Sequence, residues 1–263
     1  MDLGIKDRVA VVAASSRGLG KAVAEALAAE GAKLALCARN EKTLAATAES
    51  IRRRWGTDVL DRALDVTEPE AVKKFVAATI ERFGRVDIGV ANAGGPPSKV
   101  FADTTLEDWR SAFDLNFMST LYLVRELLPH MRKQKWGRIV AITSITVKQP
   151  TEGLILSNAI RAGVAGLMKS LANEYAADNI LFNNVCPGFT ATDRLNDVAS
   201  TQAAAQGVPR EEIVGRWTRN IPLGRLGRPD EFASVVAFLC SERAGYVTGT
   251  STAIDGGAVK GIY

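Results

Sequence analysis

The chain has 263 residues, 33 lysines and arginines against 29 acidic residues, a net charge of +4, 47% hydrophobic and 24% charged residues, and 23 glycines beside 9 prolines. This is globular composition at a length one α/β domain fills with ample core, which excludes disorder, collagen-like repeats and low-complexity scaffolds. No apolar run is long enough to span a bilayer, and the N-terminus MDLGIKDRVAVVAASS lacks a signal-peptide layout. Cys37, Cys186 and Cys240, odd in number and far apart, make neither a disulfide framework nor a metal site. Lone His130 has no partners at zinc-ligand spacing. Arg52, Arg53 and Arg54 continue a helical pattern and read as a solvated face rather than a nucleic-acid patch. The expectation is a metal-free cytoplasmic enzyme with neither a membrane nor a nucleic acid as partner.

Strand-like and helix-like segments alternate along the chain. Arg8–Ala13 is an apolar, β-branched run followed by a glycine-bearing turn, and Gly18–Ala29 is an alanine-rich helix closed by Gly31. Lys33–Ala38 reads as strand, Glu41–Trp55 as helix and Val59–Leu64 as strand. Within Glu68–Phe83, Val72, Phe75, Val76, Thr79 and Ile80 recur at helical spacing. Ile88–Ala91 is a short strand ending in the loop Asn92-Ala93-Gly94-Gly95-Pro96-Pro97. One long helix is expected from about Thr105 to Lys133, then strand Arg138–Thr143, helix Leu154–Ala177 and strand Ile180–Val185. Glu231–Cys240 is the last helix and Thr250–Ile254 the last strand. Continuously apolar strands alternating with helices predict a doubly wound parallel sheet covered on both faces, a single Rossmann-type α/β domain over 1–263. Thr190–Arg228 interrupts the alternation with polar and small residues and reads as a substrate lid over the carboxyl edge.

The turn after the first strand, Ala13-Ala14-Ser15-Ser16-Arg17-Gly18-Leu19-Gly20, opens directly into a helix. Its glycines permit close backbone approach, and the helix start offers unpaired N–H groups to a pyrophosphate. A dinucleotide site is therefore expected here. After the second strand, Ala38 stands where a ribose-binding acid would mark an NAD site, followed by Arg39 and Asn40, with Arg17 in the turn. Two guanidinium groups and no carboxylate suit the 2′-phosphate of NADP(H) over NAD(H).

These residues resemble the short-chain dehydrogenase/reductase family over essentially the whole chain, with 3-oxoacyl-carrier-protein reductases as the nearest type. The family's T-G-x-x-x-G-x-G turn stands here as Ala13-Ala14-x-x-x-Gly18-x-Gly20, with both leading residues altered. Asp65-Val66 matches the pair beside the adenine, and Ala91-Asn92-Ala93-Gly94 matches N-N-A-G except at its first residue. Cys186-Pro187-Gly188-Phe189-Thr190 resembles the loop beside the nicotinamide, and Tyr246-Val247-Thr248-Gly249 with Asp255-Gly256-Gly257 the C-terminal signature. The resemblance implies cofactor contacts at Ala14, Ser16, Arg17, Gly18, Leu19, Gly20, Arg39, Asn40, Asp65, Val66, Asn92, Ala93, Gly94, Arg161, Pro187, Gly188 and Thr190. It also implies a homo-oligomer, tetramer or dimer.

The family's catalytic set is Asn, Ser, Tyr and Lys. Asn116 and Ser144 match their positions, but Y-x-x-x-K does not appear. The segment Val164-Ala165-Gly166-Leu167-x-x-Ser170-Leu171-Ala172 fixes the register and puts Ser157 and Arg161 at the Tyr and Lys positions. A serine is a poor general acid, and Arg161 cannot relay a proton. At i, i+4 the two share a helix face, where they form either an oxyanion site or polar filling left after loss of catalysis. Three functions follow. One is an NADP(H)-dependent oxidoreductase passing hydride to an activated carbonyl or conjugated C=C. The others are a cofactor-binding protein without turnover, and non-redox chemistry in a repurposed pocket. Arg194, Arg210, Arg216, Arg219, Arg225 and Arg228 make the lid basic, which would suit an acidic small-molecule substrate.

Overall fold

Seven apolar runs become strands: β1 (Val9–Val12), β2 (Lys33–Ala38), β3 (Val59–Ala63), β4 (Ile88–Ala91), β5 (Gly137–Ile142), β6 (Ile180–Pro187) and β7 (Ser251–Ile254). The computed structural model describes residues 1–262, the Ala205 side chain excepted. The strands form one sheet in the order β3-β2-β1-β4-β5-β6-β7, every pair parallel. The chain winds outward in one direction from β1 and then in the other from β4, so a crevice opens between their carboxyl ends.

Helices α1 (Gly18–Ala29) and α2 (Glu41–Trp55) cover one face together with α9 (Pro229–Leu239). Helices α3 (Pro69–Phe83), α5 (Ser119–Gln134) and α6 (Ile155–Tyr175) cover the other. Val23, Leu27, Leu44, Phe232 and Val236 fill the first interface; Phe75, Leu127, Met131, Met168 and Phe182 fill the second. Each such side chain contributes about 1.5–3 kcal/mol on burial. Asn40 starts α2 by accepting from Thr43 N–H at 2.9 Å, and Gly56 at φ +63° ends it.

At the amino edge, the buried Asp87 carboxylate accepts from Val9 N–H at 2.9 Å, Arg85 Nε at 2.8 Å and Arg8 Nη1 at 3.1 Å. The Trp136 ring lies between the Arg8 and Arg138 guanidinium groups, 3.9 and 4.3 Å from its centroid. This charged cluster lies at the opposite end of the strands from the crevice.

Two elements differ from the sequence expectation. The long helix from Thr105 is α4 (Leu106–Phe113) joined to α5 by one wide turn over Asp114–Met118, where Ser119 N–H bonds the Asp114 carbonyl five residues back. The extra residue shifts the helical register, and such turns are frequent at functional sites. The segment between β6 and α9 holds α7 (Asp193–Gln206) and α8 (Arg210–Arg219), which pack on each other through Ala199, Ala203, Ile213 and Trp217. Among the described residues, no helix is long and apolar enough to cross a membrane, and no group of three or more His, Cys, Asp or Glu could hold a metal ion.

Candidate active site at the carboxyl edge of the sheet

The turn after β1 is held from beneath. Ser15 N–H donates to the Cys37 carbonyl at 3.0 Å, and Thr47 Oγ1 donates to the Ser16 carbonyl at 2.9 Å. Asn92 Nδ2 reaches the Ala13 and Ala14 carbonyls at 3.3 and 3.4 Å, so its side chain braces the turn from β4. A Cβ on Gly20 would collide with the Ala14 carbonyl oxygen and lie 2.8 Å from Asn92 Nδ2, so only glycine lets α1 begin this close to the turn. Ala14 itself has φ +49°, a left-handed conformation that its Cβ disfavours.

Arg17 is the residue before α1 and supplies no side-chain cap, leaving the first N–H groups of the helix for another acceptor. That arrangement fits a pyrophosphate. Arg17 and Arg39 are both exposed, and among the described residues neither has a carboxylate partner. Asn40 Oδ1 accepts from Thr43 N–H at 2.9 Å at the start of α2. Asp65 bonds Thr67 N–H and its hydroxyl at 3.0 and 2.9 Å, shaping the turn after β3. Val66, Leu64, Ala13, Cys37, Ala91 and Asn92 line a narrow, mostly apolar cleft beside the glycine turn. Burial pushes the Cys37 thiol up to about 12.

Across the crevice, Asn116 and Arg161 meet at the Gly94 carbonyl, and Ser144 and Ser157 are joined through Thr146. Asn116, in the wide turn, donates from Nδ2 to the Gly94 carbonyl at 2.8 Å, while its buried Oδ1 has no partner among the described residues. Ser119 and Thr120 hydroxyls cap the Leu115 and Asn116 carbonyls at 2.6 and 3.0 Å. Arg161 is 8% exposed; its Nη1 donates to the Ile142 and Thr143 carbonyls at 3.0 and 2.9 Å, and Nη2 approaches the Gly94 carbonyl at 3.5 Å. Burial pushes this guanidinium down to about 10, which leaves it charged at neutral pH. Both Nη1 protons therefore serve the backbone, so the expected oxyanion site cannot draw on them. Ser144 Oγ accepts from Thr146 N–H at 3.2 Å, and Ser157 Oγ pairs with Thr146 Oγ1 at 3.1 Å. Thr146 escapes sequence reasoning because its partner lies 11 residues away across a loop; a hydroxyl two residues beyond Ser144 was the available signal.

Pro187 ends β6, and Gly188 packs against Asp255, where a Cβ would lie 2.7 Å from that side chain. Phe189 stacks on Trp217 of α8 with ring centroids 5.1 Å apart, and Thr190 N-terminal to α7 is buried. The segment is less basic than its arginine count implies. Arg210, Arg216, Arg225 and Arg228 pair with Glu211, Glu212, Glu231 and Asp230. Arg194 and Arg219 lack a carboxylate partner among the described residues, and Arg194 Nη2 reaches the Pro96 carbonyl at 3.4 Å. The Gly94–Pro96 backbone therefore meets Asn116, Arg161 and Arg194 from three elements.

The pattern of the enoyl-(acyl carrier protein) reductase family matches residues 13–259. The chain is 35% identical over 257 residues to 3-oxoacyl-(acyl-carrier-protein) reductase FabG of Aquifex aeolicus, covering 98% of this chain and 99% of that one. It is 36% identical over 258 residues to the enzyme of the same name from Vibrio cholerae, covering 97% and 98%. L-sorbose reductase from Gluconobacter frateurii, solved with NADPH and L-sorbose, superposes with a TM-score of 0.95 at 35% identity over 100% of both chains. With a parallel seven-stranded sheet, a glycine turn at its switch point and relatives matched end to end, the chain belongs to the short-chain dehydrogenase/reductase family.

Proposed function

We propose that the protein is an NADP(H)-dependent oxidoreductase that reduces an activated carbonyl or a conjugated C=C, with 3-oxoacyl or enoyl thioesters as the substrate class. The observation that carries this reading is the pair of exposed guanidinium groups, Arg17 before the uncapped start of α1 and Arg39 after Ala38, neither with a carboxylate partner among the described residues. A 2′-phosphate would bridge the two arginines, and the pyrophosphate would meet the N–H groups of Gly18, Leu19 and Gly20. Val66 and its neighbours would receive the adenine. Kinship with reductases, one solved with NADPH, supports the same cofactor.

Reduced nicotinamide, when bound, supplies the hydride. Ser144 and Ser157 then hold the substrate oxygen and stabilise the negative charge that develops on it. Arg161, fixed on the Ile142 and Thr143 carbonyls, contributes its charge through space without exchanging a proton. Water supplies the proton, which an enolate tolerates better than an alkoxide. Residues of about 190–228 act as the lid, latched by the Phe189–Trp217 stack. The exposed side chains of Phe101, Leu106 and Phe113 support association into a homo-oligomer.

A second reading, cofactor binding without turnover, is favoured by one observation: both Nη1 protons of Arg161 are committed to backbone carbonyls. Titration with NADPH and NADH side by side, followed by turnover on 3-oxoacyl thioesters, enones and quinones, separates the two. Micromolar NADPH binding, much weaker NADH binding and NADPH consumption are expected. Tight binding with background consumption would establish the second reading, and absence of binding to either nucleotide would remove both.

A further inference from the structure

We propose that Thr146 is a positioning residue that orients the Ser157 hydroxyl toward the substrate oxygen, an inference resting on the oxidoreductase reading above. Thr146 touches both serines. Its N–H donates to Ser144 Oγ at 3.2 Å, and its hydroxyl pairs with Ser157 Oγ at 3.1 Å. It is 4% exposed and Ser157 is 7% exposed, so bulk water competes little for either group.

The proton count decides what this pair can do. Two hydroxyls carry two protons, and one hydrogen bond between them uses one. Among the described residues neither hydroxyl has a second protein partner. When Thr146 donates, Ser157 accepts and its own proton points out of the pair, toward a substrate oxygen. A hydroxyl that accepts one hydrogen bond becomes a stronger donor in the next, the more so in a low-dielectric site. Threonine suits this task because its branched Cβ restricts χ1 and holds Oγ1 in place.

A lone serine at 157 would leave its rotor free, and the site would present an ordered donor only part of the time. Tied to Thr146, Ser157 presents its O–H beside Ser144, whose own Oγ is fixed by the neighbouring N–H. Arg161, one helical turn beyond Ser157 and bonded to the Thr143 carbonyl, holds positive charge behind the serines. Thr146 therefore sets the geometry of both oxygen-binding hydroxyls without itself touching the substrate.

The test compares Thr146→Val, Thr146→Ser, Ser157→Ala and the double variant T146V/S157A, measuring kcat and KM for a 3-oxoacyl thioester and the dissociation constant for NADPH. Valine keeps the shape and the backbone N–H but removes the hydroxyl. Thr146→Val should lower kcat by about 5–10-fold, the scale of one neutral hydrogen bond, with NADPH affinity within about twofold of wild type. Thr146→Ser should restore kcat to within about twofold. In the Ser157→Ala background, Thr146→Val should have no further effect, because its route to the substrate is already gone. Equal loss in both backgrounds, or an unchanged kcat in Thr146→Val, overturns the proposal. If valine prevents folding, Thr146→Ala must reproduce the same dependence on Ser157 or the proposal fails. A wild type that binds NADPH but reduces nothing overturns the oxidoreductase reading and takes this inference with it, an outcome distinct from a working enzyme indifferent to Thr146.

Discussion

Asn116 and Arg161 converge on the same carbonyl oxygen, that of Gly94, at 2.8 and 3.5 Å. One arrives from the wide turn before α5, the other from α6, and Arg161 also carries the carbonyls of Ile142 and Thr143. The loop after β4 and the end of β5 are thus fastened by one buried cation.

Removing that cation should loosen the carboxyl edge. Arg161→Met keeps the apolar stem but strips donors from the Ile142 and Thr143 carbonyls, each costing roughly 1–3 kcal/mol when left buried and unpaired. We expect urea unfolding to show a net loss of about 2–3 kcal/mol after partial relaxation. Arg161→Lys should lose less, since an ammonium still serves two of the acceptors. A methionine variant as stable as wild type would contradict the fastening role.

Ala14 at φ +49° predicts the reverse of the usual alanine-to-glycine effect. A left-handed alanine is strained by about 1 kcal/mol, so Ala14→Gly should raise stability despite the added freedom of the unfolded chain. For a chain of this size the expected rise in Tm is about 1–3 °C by calorimetry. A lower Tm would mean the turn does not hold that conformation.

Much of this architecture is legible in residue order. The helices over Gly18–Ala29 and Glu41–Trp55 and the strands Lys33–Ala38 and Ile88–Ala91 have the expected bounds, because glycine stops, the Asn40 cap and unbroken apolar runs are local signals. The wide turn at Asp114–Met118 is not legible: one extra residue in a helix leaves almost no trace in the apolar spacing. The helices of the 190–228 segment are hidden because α7 meets Ile213 and Trp217 of α8 with only the small side chains Ala199 and Ala203, which give a weak apolar period. At the site, residue identities at 116, 144, 157 and 161 come from order along the chain. Where Arg161 points, and the bridge through Thr146, depend on contacts between distant segments.

The β4–α4 loop should respond to acid through Asp108. This carboxylate takes a hydrogen bond from Lys99 Nζ at 2.7 Å and one from Thr105 N–H at 2.8 Å, which pull it down to about 2 from the ordinary 3.8. A carboxyl lowered in the folded state adds stability that is complete above the unfolded value and disappears as pH falls toward the folded one. Trp109, whose Nε1 donates to Thr104 Oγ1 at 3.1 Å, reports the change. Its fluorescence, isolated by difference with Trp109→Phe, should shift between about pH 4 and pH 2. In Asp108→Asn that step should vanish.

Under the proposed lid reading, Arg194 and Arg219, which have no carboxylate partner among the described residues, are the arginines of the 190–228 segment left for an acidic substrate. Alanine at either should raise KM for a carboxylate- or phosphate-bearing substrate by about 3–10-fold while leaving a neutral one unchanged. Arg216→Ala, which breaks the pair with Glu212 and the hydrogen bond to Gln206, is the control. Equal effects on acidic and neutral substrates would assign these arginines to folding of the segment instead.

The three cysteines are free and buried, one in β2, one in β6 at the crevice floor and one at the end of α9. Burial pushes the Cys37 and Cys240 thiols up to about 12, so at pH 8 both are protonated. An alkylating reagent can therefore reach these sulfurs only when the surrounding packing opens. Labelling rates, resolved by peptide mass, become three independent clocks: Cys37 for the nucleotide half, Cys186 for the substrate half, Cys240 for the C-terminal helix. Slowing of the first clock by NADPH alone would record cofactor binding as rigidity, with no need for turnover.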